Sequence, residues 1–385
     1  MLNIEAVEDA GRLSSLEAGW NELLQRSASD GIFLTWEWVS VWWEVYGGSG
    51  RYRPLVLVAR DGEQVVGVAP LMVDRVAGPM GQLAPRQLRF IGTGEDVTPE
   101  YLDFFVERGR EQEVSTALCA HLLREQRDAW DTLLLERLLR DSPNFDIIRR
   151  ALGQHEITLQ EQGELECPFA ALPPSWDEYL ASCSKHFRKR IGYNDRRLER
   201  DGEVRYLFVD DDIPLEQAYE LLVQLNRHRF GEEGQSFRSA EYVEFHRRLC
   251  QQLLPRGWVL LAVLKVGEEV AAVKYDYCYG GKLWGNQGGW SREWEKKEVG
   301  NVMIGRLIRW GIERGYKEYD FLGGADEYKQ RWSTASRQMV DLAGHNVTLR
   351  GRLFRLGDEG KRWLREHVPP ETYQKIADIK RSLKL

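Results

Sequence analysis

Three groups of residues in this chain could carry chemistry. The first lies in Leu283–Trp332, which reads LWGNQGGW, SREWEKKEVGN, VMIGRLIRWGIERG, YKEYDFLGG and ADEYKQRW. A basic turn with Lys296, Lys297, Val299, Gly300 and Asn301 leads into a helix. The unpaired N–H groups and the dipole of a first helical turn favour an anion there. The same order also describes an ordinary strand–helix–strand crossover. The second is Asp320, set in the short apolar strand Tyr319–Leu322. A carboxylate in such a strand is costly unless it is paired or working. It is therefore either a buried hydrogen-bond acceptor or a functional group. The third is Ser182–Arg200, with seven Lys/Arg against two Asp/Glu. Phe187, Ile191 and Leu198 form a helical stripe, so Lys185, His186, Arg188 and Arg190 lie on the other faces. Such a face binds a phosphate, an anionic lipid or a nucleic acid, or is simply solvated. Arg188 and Arg190 cannot point the same way on a helix. His186 is a possible base.

The elements that position these groups follow from periodicity. In the helix after the basic turn, Met303, Ile304, Leu307, Ile308 and Ile312 recur at helical spacing, and Gly315 marks its end. Residues Leu55–Pro70, LVLVARDGEQVVGVAP, align without a gap with Leu260–Tyr275, LLAVLKVGEEVAAVKY, 205 positions on. Each is a strand, a tight glycine turn and a strand. Each hairpin is followed by a strand (Gln87–Ile91; Lys282–Gln287), a loop, a helix (Val114–Arg127; Val302–Arg314) and a strand (Thr132–Leu135; Tyr319–Leu322). The repeated β-β-β-α-β order implies internal duplication. Helices precede each hairpin. Trp36, Val39 and Trp43 share one helical face, with Trp38 and Trp42 on its flank. Such a stripe is core or lines an acyl or sugar pocket. The predicted class is mixed α/β with mainly antiparallel sheets. The units are 1–165, 166–349 and a basic amphipathic helical tail over 350–385. No phosphate-loop or dinucleotide fingerprint is present.

Hydrophobic residues make up 43% and charged residues 29%, the balance of a soluble globular protein. The net charge of −7 argues against DNA binding over the whole surface. The tail runs the other way, with ten Lys/Arg against five Asp/Glu. Its apolar residues (Leu353, Leu356, Trp363, Leu364, then Tyr373, Ile376, Ile379, Leu383) suggest helices that pack on the body or lie on a membrane surface. Five widely spaced cysteines without ligand spacing imply reduced thiols and no metal site. The acidic, h-region-free N-terminus implies no signal peptide. A cytoplasmic chain, peripheral at the inner membrane through its tail, is expected.

The pieces FLTWEWVSVWWEVYG, VGVAPLMV, EYLDF, SKHFRKRIGYNDRRLER and YDFLGGADEYKQRW together resemble a double GNAT acyltransferase of the cellulose-biosynthesis CelD-like family. That family is related to Fem-type peptidyltransferases, which use aminoacyl-tRNA. The resemblance runs from about Phe33 to Ala343 and implies two tandem GNAT-like domains. GNAT enzymes cradle the pyrophosphate of acyl-CoA with an Arg/Gln-x-x-Gly-x-Gly/Ala turn. Here it corresponds to Lys297-Glu298-Val299-Gly300-Asn301-Val302, with Val302 replacing the last small residue and Glu298 adding a negative charge. Acyl-CoA is thus the implied co-substrate, and no tightly bound cofactor is expected. By motif position the resemblance implies Asp103 and Lys329 as catalytic groups facing a shared cleft, with Asp320 as a third candidate. Amide formation from a thioester needs a base, a holder for the oxyanion and a proton for the leaving thiolate. Lys185, His186, Arg188, Trp284, Trp290, Tyr328 and Trp332 are the implied substrate contacts. The expected acceptor is a primary amine, on an amino sugar or sugar nucleotide of surface polysaccharide or on a lipid. The alternatives are a Fem-like transfer from aminoacyl-tRNA and a non-catalytic envelope scaffold.

Overall fold

A computed structural model describes residues 2–75, 83–155, 157–209, 211–230 and 237–367. The first half runs β1 (Leu2–Val7), α1 (Glu17–Arg26), α2 (Trp36–Tyr46), β2 (Tyr52–Asp61), β3 (Gln64–Arg75), β4 (Arg86–Phe90), β5 (Phe105–Val106), α3 (Glu111–Arg124), β6 (Thr132–Leu139), α4 (Phe145–Gly153) and β7 (Gln160–Ala171). The second runs α5 (Trp176–Ser182), α6 (Lys185–Glu199), β8 (Val204–Phe208), α7 (Leu215–Phe230), α8 (Ala240–Leu253), β9 (Val259–Val266), β10 (Glu269–Tyr279), β11 (Lys282–Trp290), α9 (Val299–Glu313), β12 (Glu318–Asp320), α10 (Glu327–Trp332), β13 (Ala335–His345) and α11 (Leu349–His367).

The two aligned hairpins are β2–β3 and β9–β10. Their two-residue loops open on Gly62 and Gly267, both at positive φ, which glycine adopts without strain. In each half the strand after the hairpin pairs in parallel with the strand that follows the crossover helix. Gln87 and Leu88 of β4 face Thr132 and Leu133 of β6 around α3. Lys282, Leu283 and Trp284 of β11 face Glu318, Tyr319 and Asp320 of β12 around α9. The duplication is therefore one of topology as well as sequence.

All strands join one sheet in the order β1-β2-β3-β4-β6-β13-β7-β12-β11-β10-β9-β8, with β5 beside β3. β13, from the second half, lies between β6 and β7 of the first. The position 165/166, read as a domain boundary, falls inside β7. The tail begins as an amphipathic helix, α11. The second tail helix, with Tyr373, Ile376, Ile379 and Leu383, lies outside the described residues.

Two local expectations differ. The tryptophans most deeply buried in α2 are Trp38 and Trp42, while Trp43 is half-exposed. The helix is covered from a second side by α8, where the Trp38 ring meets Phe245 at 5.2 Å, and Trp38 also meets Tyr277 of β10 at 5.8 Å. This aromatic layer is core that joins the halves. The polar stretch after Gly324 forms the short helix α10. Buried Trp332 anchors it, with its ring 4.7 Å from Phe187 and its Nε1 donating to Asn301 at 3.3 Å. Six residues are too few to display a helical repeat.

Candidate active site

β11 and β12 stay paired for three positions and then part. On β11, Asn286 is an extra residue opposite the Tyr275–Asp276 step of β10. Its N–H donates to Asp276 at 3.0 Å. Fully buried Asp276 also accepts from Tyr319 at 2.6 Å and from Lys274 at 2.5 Å, so the bulge is fixed by a charge-assisted network. On the other side the chain leaves β12 to follow β7. Phe321 donates to the Pro168 carbonyl, and Gly324, at φ 107°, to that of Glu166.

The gap is a cavity of about 220 Å³ lined by Glu100, Lys274, Asn286, Leu322, Tyr328 and Lys329 among others. A larger cavity of about 450 Å³ adjoins it beneath the first turn of α9. The two share Lys274, Asn286, Gln287, Ile304, Tyr328 and Lys329.

Gly323 is the pivot of the smaller cavity. Its N–H donates to Glu100 at 2.7 Å, and its carbonyl accepts from Lys329 at 2.5 Å. A Cβ there would stand 2.1 Å from the Leu165 side chain and 2.9 Å from the Glu100 carboxyl, so a larger residue would have to displace them. Burial pushes the Glu100 carboxyl up to about 7; the bond from Gly323 opposes this, and Asp320 adds to it. Burial also lowers the Lys329 ammonium, while Glu100 and Asp326 oppose that shift. A carboxyl near neutrality and a depressed ammonium on either side of one glycine are suited to moving a proton at neutral pH.

At the larger cavity, Glu298 precedes α9 in the left-handed conformation, φ 56°. Its carboxylate accepts from Arg190 Nε at 2.9 Å and from Asn194 at 2.9 Å. The Arg190 bond holds it below the usual carboxylate range. Val299, Gly300 and Asn301 line this cavity. Lys297 instead pairs with Asp201 and lies over Trp294 at 5.0 Å, and Lys296 is exposed. Trp290 lies against the bare face of Gly300, where a Cβ would sit 3.0 Å from the ring. On Trp290 stacks Arg229, its guanidinium 3.6 Å from the ring, with burial lowering its pKa to about 10. Arg229, at the C-terminal end of α7, carried no motif, so the fold alone places it here.

The other sequence candidates are distributed. Asp103 is fully buried and accepts from Ser29 at 2.7 Å, Asn144 at 3.2 Å, the Phe104 N–H at 2.7 Å and Ser142. Burial pushes it up to about 6. It lines a separate cavity of about 150 Å³ with Tyr101, Trp284 and Arg337, rather than the one that holds Lys329. Asp320, buried and raised to about 6, accepts from the Tyr101 hydroxyl at 2.9 Å and the Leu322 N–H at 2.7 Å. Trp284 packs 5.5 Å from Tyr101 in the same layer. Trp332 is core, and Tyr328 lines both the smaller and the larger cavity. Lys185, His186 and Arg188 are exposed on α6, whose Arg190 alone of the four lines the larger cavity. Glu100 was overlooked although it opens the EYLDF motif. A glutamate before a tyrosine gives no sign of burial.

The corresponding gap of the first half is filled. After Leu88–Leu133 the strands β4 and β6 also part, but Leu102 pairs with Leu138 and donates to the Arg137 carbonyl at 3.0 Å. The first turn of α3 carries Glu111 and Glu113, which oppose an anion. The segment that plugs this gap is the one that extends Glu100 into the cavity of the second half.

Residues 185–330 match the acetyltransferase (GNAT) domain family. Among solved structures, the crystal structure of FemX aligns with a TM-score of 0.64 and 11% identity over 91% of this chain and 99% of its own. A conserved protein of unknown function from Bacteroides thetaiotaomicron aligns at 0.53 and 10% identity over 89% and 100%. The C-terminal domain of a protein described as a lysylphosphatidylglycerol synthetase, from Agrobacterium fabrum, aligns at 0.52 and 9% over 89% and 95%. No curated protein matches the chain. At these identities the likeness is one of fold: two GNAT-like halves in one mixed sheet. Among the described residues there is no group of side chains able to hold a metal ion, and no helix long and apolar enough to cross a membrane.

Proposed function

We propose that the protein is an N-acyltransferase whose donor, an acyl thioester of coenzyme A, binds only in the second half. The observation that carries this reading is the open gap between β11 and β12, set against the filled gap between β4 and β6. The thioester arm would lie in the gap between the parted strands. The donor's phosphates would meet the first turn of α9, with Arg190 and Arg229 on either side. The acceptor amine nitrogen attacks the thioester carbonyl carbon, and the C–S bond breaks. Glu100 takes the amine's proton, which a carboxyl near neutrality does efficiently. Tyr328, whose burial raises its hydroxyl to about 12, keeps its proton and can give it to the departing thiolate. Lys329, which lines the gap, is the cation beside the developing oxyanion. The acceptor is a primary amine on an amino sugar, a sugar nucleotide or a lipid. This reading assigns base catalysis to Glu100 rather than Asp103.

A thermal-shift panel with acetyl-CoA, a long-chain acyl-CoA, free CoA and aminoacyl-tRNA tests it. A ligand at a hundred times its Kd stabilises the folded state by about 2.7 kcal/mol. A shift with acyl-CoA is expected, and a panel in which no CoA species shifts the transition refutes the donor assignment. Transfer from aminoacyl-tRNA is the second reading. It is favoured by the exposed cations Lys185, Arg188 and Lys189 on α6, whose Arg190 reaches the larger cavity. A shift with tRNA alone selects it.

A further inference from the structure

We infer that the outer face of α11 is a docking surface for an anionic lipid bilayer. Leu349, Leu353, Leu356 and Trp363 are 83%, 67%, 60% and 57% exposed, the most exposed large apolar side chains of the helix. Spaced four, three and seven apart, they fall on one stripe. Large apolar side chains on one stripe of a surface helix signal a partner.

The opposite side of the helix is fastened to the body. Arg350 donates to Asp131 at 3.0 Å and to the Ala84 carbonyl at 2.8 Å, His345 meets Asp358 at 3.1 Å, and Arg362 donates to Gln160 at 2.6 Å. The stripe is thus held outward by polar contacts made behind it.

Charge identifies the occupant. Arg352 borders the stripe, and Arg355, farther round on the same side, pairs with Glu359 at 3.6 Å. Residues 350–385 carry ten Lys/Arg against five Asp/Glu, whereas the whole chain is at −7. A basic surplus in the segment with the apolar stripe, together with a tryptophan on that stripe, is the composition of a helix lying in the headgroup layer of an anionic membrane. A second copy of the helix is the poorer fit. Continuing the four–three spacing puts Gly360 on the seam, a gap where a coiled coil needs a knob, and the run is shorter than three heptads.

The placement also has a direction. Gln160, which holds Arg362, begins β7, and the Glu166 carbonyl, which holds Gly324 beside Lys329, follows six residues on, roughly 20 Å along the strand. The cavity therefore lies at the middle of β7, and the α11 contact at its start. Given the acyl-transfer reading, a bilayer under α11 would bring lipid-borne amines to within roughly 20 Å of the cleft along this strand. The docking surface itself does not depend on that reading, because vesicle binding is measured without donor.

The test is flotation of the full chain with vesicles of phosphatidylcholine alone or containing about one-third phosphatidylglycerol. Binding to the anionic vesicles that weakens with salt is expected. The double variant Leu353→Asp/Leu356→Asp should weaken it about tenfold or more with an unchanged melting temperature, because both side chains are exposed. No binding to anionic vesicles, equal binding to neutral ones, or full binding by the double variant would each overturn the inference. So would a dimer in sedimentation equilibrium that the double variant splits, since the stripe would then be covered by a second copy.

Discussion

Replacing Glu100 by Gln separates two consequences of one buried carboxyl. Glu100 is raised from 4.5 to about 7, first by burial. The protonated form is therefore favoured in the folded state relative to the unfolded one. Stability is whole below about pH 4.5 and is lost as pH rises through 7. The difference between the two pKa values corresponds to about 3 kcal/mol. Glutamine stays neutral and its oxygen still accepts from the Gly323 N–H. The variant should match the parent near pH 4.5 and exceed it at pH 8 by about 3 kcal/mol, or roughly 4 °C in a chain of this size. Catalysis should move oppositely. Removing a general base lowers kcat by about 10²–10⁴ and abolishes the rise in rate centred near pH 7. Thermal melts at the two pH values, together with pH–rate profiles of acyl transfer, measure both. A variant stabilised at high pH with an undiminished rate would leave Glu100 buried but idle. A variant with a parental pH–rate rise would refute its role as base.

Lys329→Ala should lower acyl transfer by about a hundredfold or more. The falling limb of the parental pH–rate profile should lie below the ordinary lysine range, because burial depresses this ammonium, and the alanine variant should lack it. Glu298→Gln removes the carboxylate that engages Arg190, so CoA should bind about tenfold more tightly by calorimetry; weaker binding would make Glu298 part of the donor cradle. The same variant should lose about 0.3–1 kcal/mol of stability, as a negative charge leaves a helix N-terminus. Asp103→Ala strips Ser29, Ser142 and Asn144 of their shared acceptor and should cost about 3 kcal/mol in denaturant melts. The fraction that remains folded should keep its kcat, and a collapse of kcat at full stability would return Asp103 to the chemistry.

The sequence made legible whatever depends on local repetition. The hairpins at Gly62 and Gly267, the crossovers, the α9 turn and the stripe of α11 all rest on spacing within a few dozen residues. Trp38 was placed on the flank of the α2 stripe because its burial depends on α8, some 200 residues away, which no local period reports. The lining of the two cavities was half legible. Lys329, Tyr328, Val299, Gly300 and Asn301 line the cavities, all within one contiguous segment. Glu100 and Arg229 come from outside it, from a loop of the first half and the end of α7. Only the assembled sheet shows that Glu100 abuts Gly323, 223 positions later. The placing of Asp103 went with the motif rather than the residue. In an extended segment neighbours point apart, and the position three residues earlier reaches the open gap.

The strand β13 has a consequence for the order of events at the ribosome. It sits in the interior of the sheet, bonded to β6 on one side and β7 on the other, both made more than 160 residues earlier. Until residues 335–345 emerge, the nascent first half holds two strands with an empty slot between them and bare hydrogen-bonding edges facing it. Such a slot invites any extended segment of another chain, so synthesis of this protein includes a long interval of exposure to wrong partners. A chain interrupted before residue 335 would lose more than its last strand, because the two halves would lack the piece that zips them into one sheet.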